Sequence, residues 1–198
     1  SVFGYKLDVV PPVWQSIQVV NAYTLRLVFN EPIDTITALA LSNYTVQPGS
    51  IHPASVAFAE TLVLVLTLTQ PLQNGAGYTL QVEQLNDLAG NTMDAATQSF
   101  LYFIPSPVHP KDIIFNEVMA DPAPVVQLPE AEYIELLNRS NHPIDLQGWT
   151  LTDGGTPSVF PPHIIQPGDY RIITATSQAA QFTPFGKILA MPNFPSLN

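Results

Sequence analysis

The chain has 198 residues, of which 20 are proline and none is cysteine; 46% are apolar, 11% are charged, and the formal charge is −10. That length allows one large domain or two small ones, and so many prolines with so few charges argue against a helical protein, while the apolar content is ample for a core. Disulfides, thiolate metal sites and cysteine nucleophiles are excluded, and a nucleic-acid surface is disfavoured because phosphate binding needs clustered Lys and Arg.

The acidity is evenly spread. Residues 1–104 carry two basic and seven acidic side chains, and residues 105–198 carry four and nine, so neither half hides a basic module. The most apolar run, Leu62 to Leu68, falls far short of the roughly 20 residues needed to span a bilayer. Membrane insertion is therefore not expected.

In chain order, Ser1 to Pro12 is echoed by Gln98 to Pro110: each has a Phe-x-Tyr strand, a proline-containing exit and then a fresh apolar run. Residues 1–10 are accordingly expected to be the last strand of a preceding module, in a protein built as a string of domains. From residue 11 to 104 strand signals recur at short intervals: Val13–Val20, Thr24–Phe29, Asn43–Gln47, Ser55–Phe58, Thr61–Thr69, Gly77–Leu85 and Gln98–Ile104. In the second, Leu25, Leu27 and Phe29 alternate with Thr24 and Arg26; in the sixth, Tyr78, Leu80 and Val82 alternate with Thr79, Gln81 and Glu83. Such two-residue periods predict strands with one face inward, and seven of them with polar turns predict a sandwich. A single helical turn is expected over Asp34–Leu41, with Asp34 as its cap.

Residues 105–110 lie in a proline-rich run, Ile104-Pro105-Ser106-Pro107-Val108-His109-Pro110, that predicts a semi-rigid extended spacer. Beyond it, in residues 111–198, Ile134 and Leu136 alternate with Tyr133 and Glu135, and Trp149 and Leu151 with Thr150 and Thr152. The turn formers of Asn138–Pro143 between them predict a hairpin. Val159–Pro162, Asp169–Thr174 and Lys187–Ala190 read as further strands, and Ser177–Gly186 as an irregular surface segment. The expected fold class is all-β: two consecutive antiparallel sandwiches joined by a Pro-rich linker.

Two resemblances sharpen this. Phe29-Asn30-Glu31-Pro32-Ile33-Asp34, Asn43-Tyr44-Thr45-Val46, Gly77-Tyr78-Thr79-Leu80 and Asp87-Leu88-Ala89-Gly90-Asn91 resemble recurring positions of bacterial Ig-like modules of surface-layer and other exported proteins. In the last motif Gly90 suits a left-handed turn and Asp87 an acceptor of backbone N–H groups. The second half resembles the lamin-tail domain of secreted bacterial proteins. Its matching residues are Ile114-Phe115-Asn116-Glu117-Val118-Met119-Ala120-Asp121-Pro122, Glu130-Ala131-Glu132-Tyr133-Ile134-Glu135-Leu136, Asn138-Arg139-Ser140, Asp145-Leu146-Gln147-Gly148-Trp149, Phe185-Gly186 and Phe194-Pro195-Ser196-Leu197-Asn198. These resemblances imply immunoglobulin-like sandwiches without catalytic activity, acting as spacer and adhesion or binding modules of a secreted, periplasmic or cell-surface protein. In the lamin-tail family the Phe-Pro-Ser-Leu-Asn motif is followed by more strand-forming sequence. An open sheet edge, and self-association through it, is therefore expected here. The implied partner is a protein or a surface polysaccharide.

Calcium is the one cofactor the side chains invite. Glu117, Asp121, Glu130 and Glu132, with Glu135 nearby, border the ends of two predicted strands and would converge at one end of the second sandwich, although the DxDxDG spacing is absent. The competing reading is that they are solvated charges. A glycosidase carboxylate pair needs a cleft that so small a sandwich scarcely offers, and no GxSxG or framed histidine marks a serine triad. His52, His109, His142 and His163 each adjoin a proline and show no zinc spacing. Trp14 and Trp149 are expected in the cores. Phe160, Tyr170, Phe182 and Phe185 are the candidates for an exposed aromatic row, as an accessory module of a secreted hydrolase would need. Asn43-Tyr44-Thr45 and Asn138-Arg139-Ser140 match the N-glycosylation pattern, which bacterial origin would leave idle.

Overall fold

The computed structural model describes residues 7–123 and 127–197. The chain divides into two compact units, residues 1–103 and 104–198. In the first, strands β1 (Trp14–Asn21), β2 (Thr24–Phe29), β3 (Tyr44–Gln47), β4 (Pro53–Glu60), β5 (Val63–Leu68), β6 (Ala76–Val82) and β7 (Ala96–Tyr102) form two sheets, β1-β2-β5-β4 and β3-β6-β7. Every pairing within them is antiparallel.

The two-residue period is what closes this sandwich. Leu25, Leu27 and Phe29 of β2 are fully buried, as are Leu64 and Leu66 of β5; they meet Tyr44, Val46, Leu80 and Val82 of the other sheet in one cluster. Each such side chain contributes about 1.5–3 kcal/mol by leaving water. Trp14 is buried as expected, its Nε1 donating to the Ser16 carbonyl at 2.9 Å. The expected helical turn is α1 (Thr35–Ala38), capped by Asp34, whose carboxylate accepts from the Thr37 N–H at 3.0 Å. Of the expected remnant strand, residues 1–6 lie outside the described residues, and residues 7–12 run without strand pairing.

The second unit has strands β8 (Ile113–Met119), β9 (Tyr133–Asn138), β10 (Ile144–Asp145), β11 (Thr150–Leu151), β12 (Ser158–Val159), β13 (Ile164–Ile165), β14 (Tyr170–Ala175) and β15 (Ile188–Met191). Its main sheet runs β15-β14-β9-β8, facing two short ladders, β10-β13 and β11-β12. Ile134, Leu136 and Ile173 of that sheet pack with Ile144, Leu146, Leu151, Phe160 and Ile165.

Five expectations need correction here. The hairpin across Asn138–Pro143 does not form: β9 pairs with β8 and β14, and the chain then crosses to the opposite layer, where β10 pairs with β13 and β11 with β12. One pairing, β14 with β15, is parallel, which requires the long connection of residues 176–187. That connection is not merely surface: it holds a 3-10 turn, Ala179–Phe182, and Phe182 is buried edge-on against Tyr133 at 5.1 Å between ring centroids. Tyr133 is therefore inside, and β9 is covered on both faces. Trp149 is 36% exposed and lies outside the core.

Both sequon asparagines are structural. Buried Asn43 donates its amide to the Thr37 carbonyl at 3.0 Å and the Gln84 carbonyl at 3.4 Å. Asn138, with no exposed surface, donates to the carbonyls of His142 and Ile165, both at 2.9 Å, and accepts from the Ser140 N–H and hydroxyl. Buried backbone carbonyls need such partners, and each carboxamide ties loops that would otherwise splay.

Candidate functional site

The four carboxylates named for calcium occupy different surroundings. Glu117 stands on β8 and accepts the Tyr133 hydroxyl at 2.8 Å. Burial, that hydrogen bond and the charges of Glu117 and Glu135 push the Tyr133 phenol up to about 12. Asp121, Glu130 and Glu132 line one cleft of 530 Å³ with Ser177, Gln178 and Phe194, and Glu117 is not part of its wall. Asp121 accepts from the Ala123 N–H at 3.3 Å, and Glu132 from the Leu197 N–H at 3.3 Å. Glu135 accepts from the Asn116 amide across the β8–β9 pair.

Among the described residues, the group of three acids whose ligand atoms lie within 4.8 Å of one another is a different one: Asp8, Glu31 and Asp87, in the first unit. Glu31 follows the end of β2, Asp87 opens the Asp-Leu-Ala-Gly-Asn turn, and the Ile33–Asp87 bridge holds those two loops together. The turn works as its residues predict. Gly90 sits at φ +90°, and Asp87 Oδ1 accepts from the N–H groups of Ala89 and Asn91, both at 2.8 Å, while Oδ2 accepts the Asn91 amide at 2.7 Å. Burial alone would raise the Asp87 pKa; the hydrogen bonds from Asn91, Ala89 and Gly90 outweigh it and hold the carboxyl below its ordinary range. Three hard oxygen donors suit Ca²⁺, yet Asp87 already spends its oxygens on N–H donors, leaving Asp8 and Glu31 as the freer ligands. Sequence reasoning singled out Glu31 and Asp87 separately. Their meeting, with Asp8 from before β1, depends on which loops share a pole of the sandwich, and no local spacing encodes that.

Two further features lie in the second unit. An apolar groove of 400 Å³ opens between β8 and β11–β12, lined by Phe115, Leu136, Trp149, Leu151 and Phe160, with Lys111 among its walls. β8 is the end strand of its sheet, and Phe115 is 59% exposed there. Near the start of β14, Arg171 is buried and approaches Asp169 at 3.5 Å, whose carboxylate also binds Lys187 at 2.7 Å. Its Nε, and Nε2 of His163 and of His142, are buried without a hydrogen-bond partner. Burial, then the charge of Arg171, lowers the His163 pKa, with Asp145 opposing. Burial also lowers that of Arg171, with Asp169 opposing. Of the four aromatic candidates, Phe160 and Phe182 are buried, and Tyr170 and Phe185 are about half exposed.

No helix among the described residues is long and apolar enough to cross a membrane. No curated protein matches the chain. Among solved structures it is similar to the surface layer protein SbsC, domains 1–6, at 23% identity and a TM-score of 0.46, over 80% of this chain and 19% of that one. It is likewise similar to the S-layer protein rSbsC(31-844), at 24% and 0.45, over 80% and 19%. The N-terminal part of the bacterial S-layer protein SbsC matches at 21% and 0.46, over 81% and 45%. The chain thus spans about a fifth of the length of the first two and under half of the third. Family models match in two successive stretches, one described as Bacterial Ig-like domain over residues 6–103 and one as Lamin Tail Domain over residues 107–191. The chain is a bacterial Ig-like domain followed by a lamin tail domain.

Proposed function

We propose that the chain is a non-catalytic structural and interaction segment of a multi-module exported or cell-surface bacterial protein. The Ig-like domain serves as spacer and the lamin tail domain as adhesion or binding module toward a protein or surface polysaccharide. The observation that carries this reading is that each family-matched stretch closes its own hydrophobic cluster, so that each is a self-sufficient unit of a string. Antibody labelling of intact cells carrying the full-length protein tests the location. Epitopes in residues 7–103 are expected to be reached without permeabilisation, and labelling only after lysis would refute it. The alternative, an accessory module of a secreted hydrolase, calls for an exposed aromatic row, and the burial of Phe160 and Phe182 leaves only Tyr170 and Phe185 for one. Retardation in gels cast with soluble polysaccharide, lost in the Tyr170→Ala/Phe185→Ala variant, would favour that alternative.

The cleft shared by Asp121, Glu130 and Glu132 remains the place for the calcium reading within the lamin tail domain. A melting temperature of that domain raised by Ca²⁺ and lowered by chelator supports it, and identical melts discard it.

A further inference from the structure

Two dipeptides of this chain carry a latent backbone reaction. The sequence holds one Asn-Gly pair, Asn74-Gly75, and one Asp-Gly pair, Asp153-Gly154. In either, the glycine nitrogen can attack the carbonyl carbon of the preceding side chain and close a cyclic succinimide. The nitrogen gives up its proton in that step; asparagine expels ammonia, and a protonated aspartic acid expels water. Solvent water then reopens the ring. Opening at the main-chain carbonyl leaves the chain running through the side-chain carbon, as isoaspartate. Glycine favours the attack because it has no Cβ to crowd the ring and reaches backbone angles other residues avoid. The rate then depends on how the fold holds nucleophile and carbonyl.

The fold treats the two pairs differently. The Gly75 N–H donates to the Tyr102 carbonyl at 2.8 Å, where β6 meets β7 and Ala76 pairs with Tyr102. That nitrogen is tied to a distant strand, and it is released to react only when the end of the ladder opens. Asp153 and Gly154 instead lie in the exposed turn that joins β11 to β12, a ladder of two residue pairs. Here the Gly154 N–H donates to the Thr152 hydroxyl at 3.0 Å, and that hydroxyl donates to the Gly155 carbonyl at 3.1 Å. Oδ1 of Asp153 accepts the Gly155 N–H at 3.1 Å, so the carboxyl group is folded back over the main chain that follows it. Both glycines permit this. Gly154 sits at φ +109°, and a Cβ on Gly155 would come within 3.2 Å of Asp153 Oδ1. The Gly155 N–H also draws electron density from the carboxyl carbon that the Gly154 nitrogen must attack.

We propose that Asp153-Gly154 is the site at which the folded chain forms isoaspartate, with Thr152 and Gly155 as positioning residues, and that Asn74-Gly75 is guarded by its bond to Tyr102. The reaction joins neighbouring residues and takes only water from outside. Its product adds one carbon to the main chain of the β11–β12 turn and hangs the carboxylate directly from Cα.

Ageing the intact chain in heavy-oxygen water, once folded and once in urea, tests this. Each ring opening places one solvent oxygen in the product, so peptide mapping reads both sites, and enzymatic methylation of isoaspartate identifies the rearranged product. At Asp153 the label is expected to enter the folded chain no more slowly than the unfolded one. At Asn74 folding is expected to slow it tenfold or more. Gly155→Ala and Thr152→Val are each expected to slow entry at Asp153 threefold or more in the folded chain, with unchanged far-UV dichroism and an unchanged rate in urea. Folding that slows Asp153 as strongly as Asn74 overturns the proposal. So does an Asn74 rate that folding leaves unchanged, or a folded rate at Asp153 that neither variant moves.

Discussion

The two domains share an architecture and differ in how completely they use it. In the Ig-like domain, strands of four to eight residues bring large side chains of both sheets into one cluster, and buried polar groups such as the Tyr44 hydroxyl, 2.7 Å from the Ala38 carbonyl, have partners. The lamin tail domain has four two-residue strands, an edge strand beside an open groove, and buried nitrogens of His142, His163 and Arg171 that lack partners. Short ladders contribute few cross-strand pairs, so more of this domain's cohesion falls on turns and on Asn138. A saturated sandwich suits a spacer, and an unsaturated one leaves surface for a partner.

The sharpest way to break this contrast is through the cores. Leu27→Ala is expected to destabilise the Ig-like domain by about 2–5 kcal/mol. Two-transition calorimetry of the intact chain should show one transition fall and the other stay. A joint shift of both would mean that the two cores are not independent. Next come the asparagines. Replacing either by Ala leaves buried carbonyls without donors, at about 1–3 kcal/mol. The loss should be larger for Asn138→Ala, since Asn138 both donates twice and accepts twice whereas Asn43 ties two carbonyls. Equal losses in urea titrations would contradict the difference drawn between the domains.

Acid should separate them too. The folded pKa of His163 lies below its unfolded value, so the unfolded chain takes up the proton first. Its penalty is absent above the unfolded pKa and grows as pH falls from there toward the folded one, with a slope of at most about 1.4 kcal/mol per pH unit. The lamin tail transition is expected to drop between pH 7 and 5, and His163→Gln to flatten that drop; an unchanged slope in the variant assigns it elsewhere. The smallest effect is expected at the exposed Arg26–Glu60 pair of the Ig-like domain, where Arg26→Gln should change stability by less than about 1 kcal/mol. A larger loss, measured by the same urea titration, would show that the Ig-like domain depends on its surface charges.

Legibility followed the same divide. In β2 and β6 the two-residue period named the buried residues, because a strand with one wet face writes its burial into alternation. Asp34 was readable as a helix cap and Asp87 as a turn acceptor of backbone N–H groups, since both are local chemistry. Tyr133 was misread as outward because its cover, Phe182, arrives from an irregular connection with no period. Strands of two residues carry almost no period: β11 lay within the strand read at Trp149–Thr152 and β12 touched the one read at Val159–Pro162, but β10, β13 and the pairings of all four were out of reach. Trp149 was placed inside on hydrophobicity, yet it lines the groove between β8 and the β11–β12 ladder and is 36% exposed. The meeting of Asp8, Glu31 and Asp87 likewise depends on topology, since these residues lie 23 and 56 positions apart in sequence.

The burial of Asn43 and Asn138 has a practical consequence for anyone producing this chain in a eukaryotic secretory pathway. Oligosaccharyl transfer acts on the extended chain as it enters the lumen, before either asparagine is sheltered. Each molecule would then face a race between sugar attachment and strand closure. A glycan on Asn138 cannot be accommodated where the carboxamide holds His142 and Ile165, so glycosylated molecules would be the ones that fail to complete the lamin tail domain. A secreted yield dominated by unglycosylated protein, with the modified fraction retained in the cell, is the signature of that race.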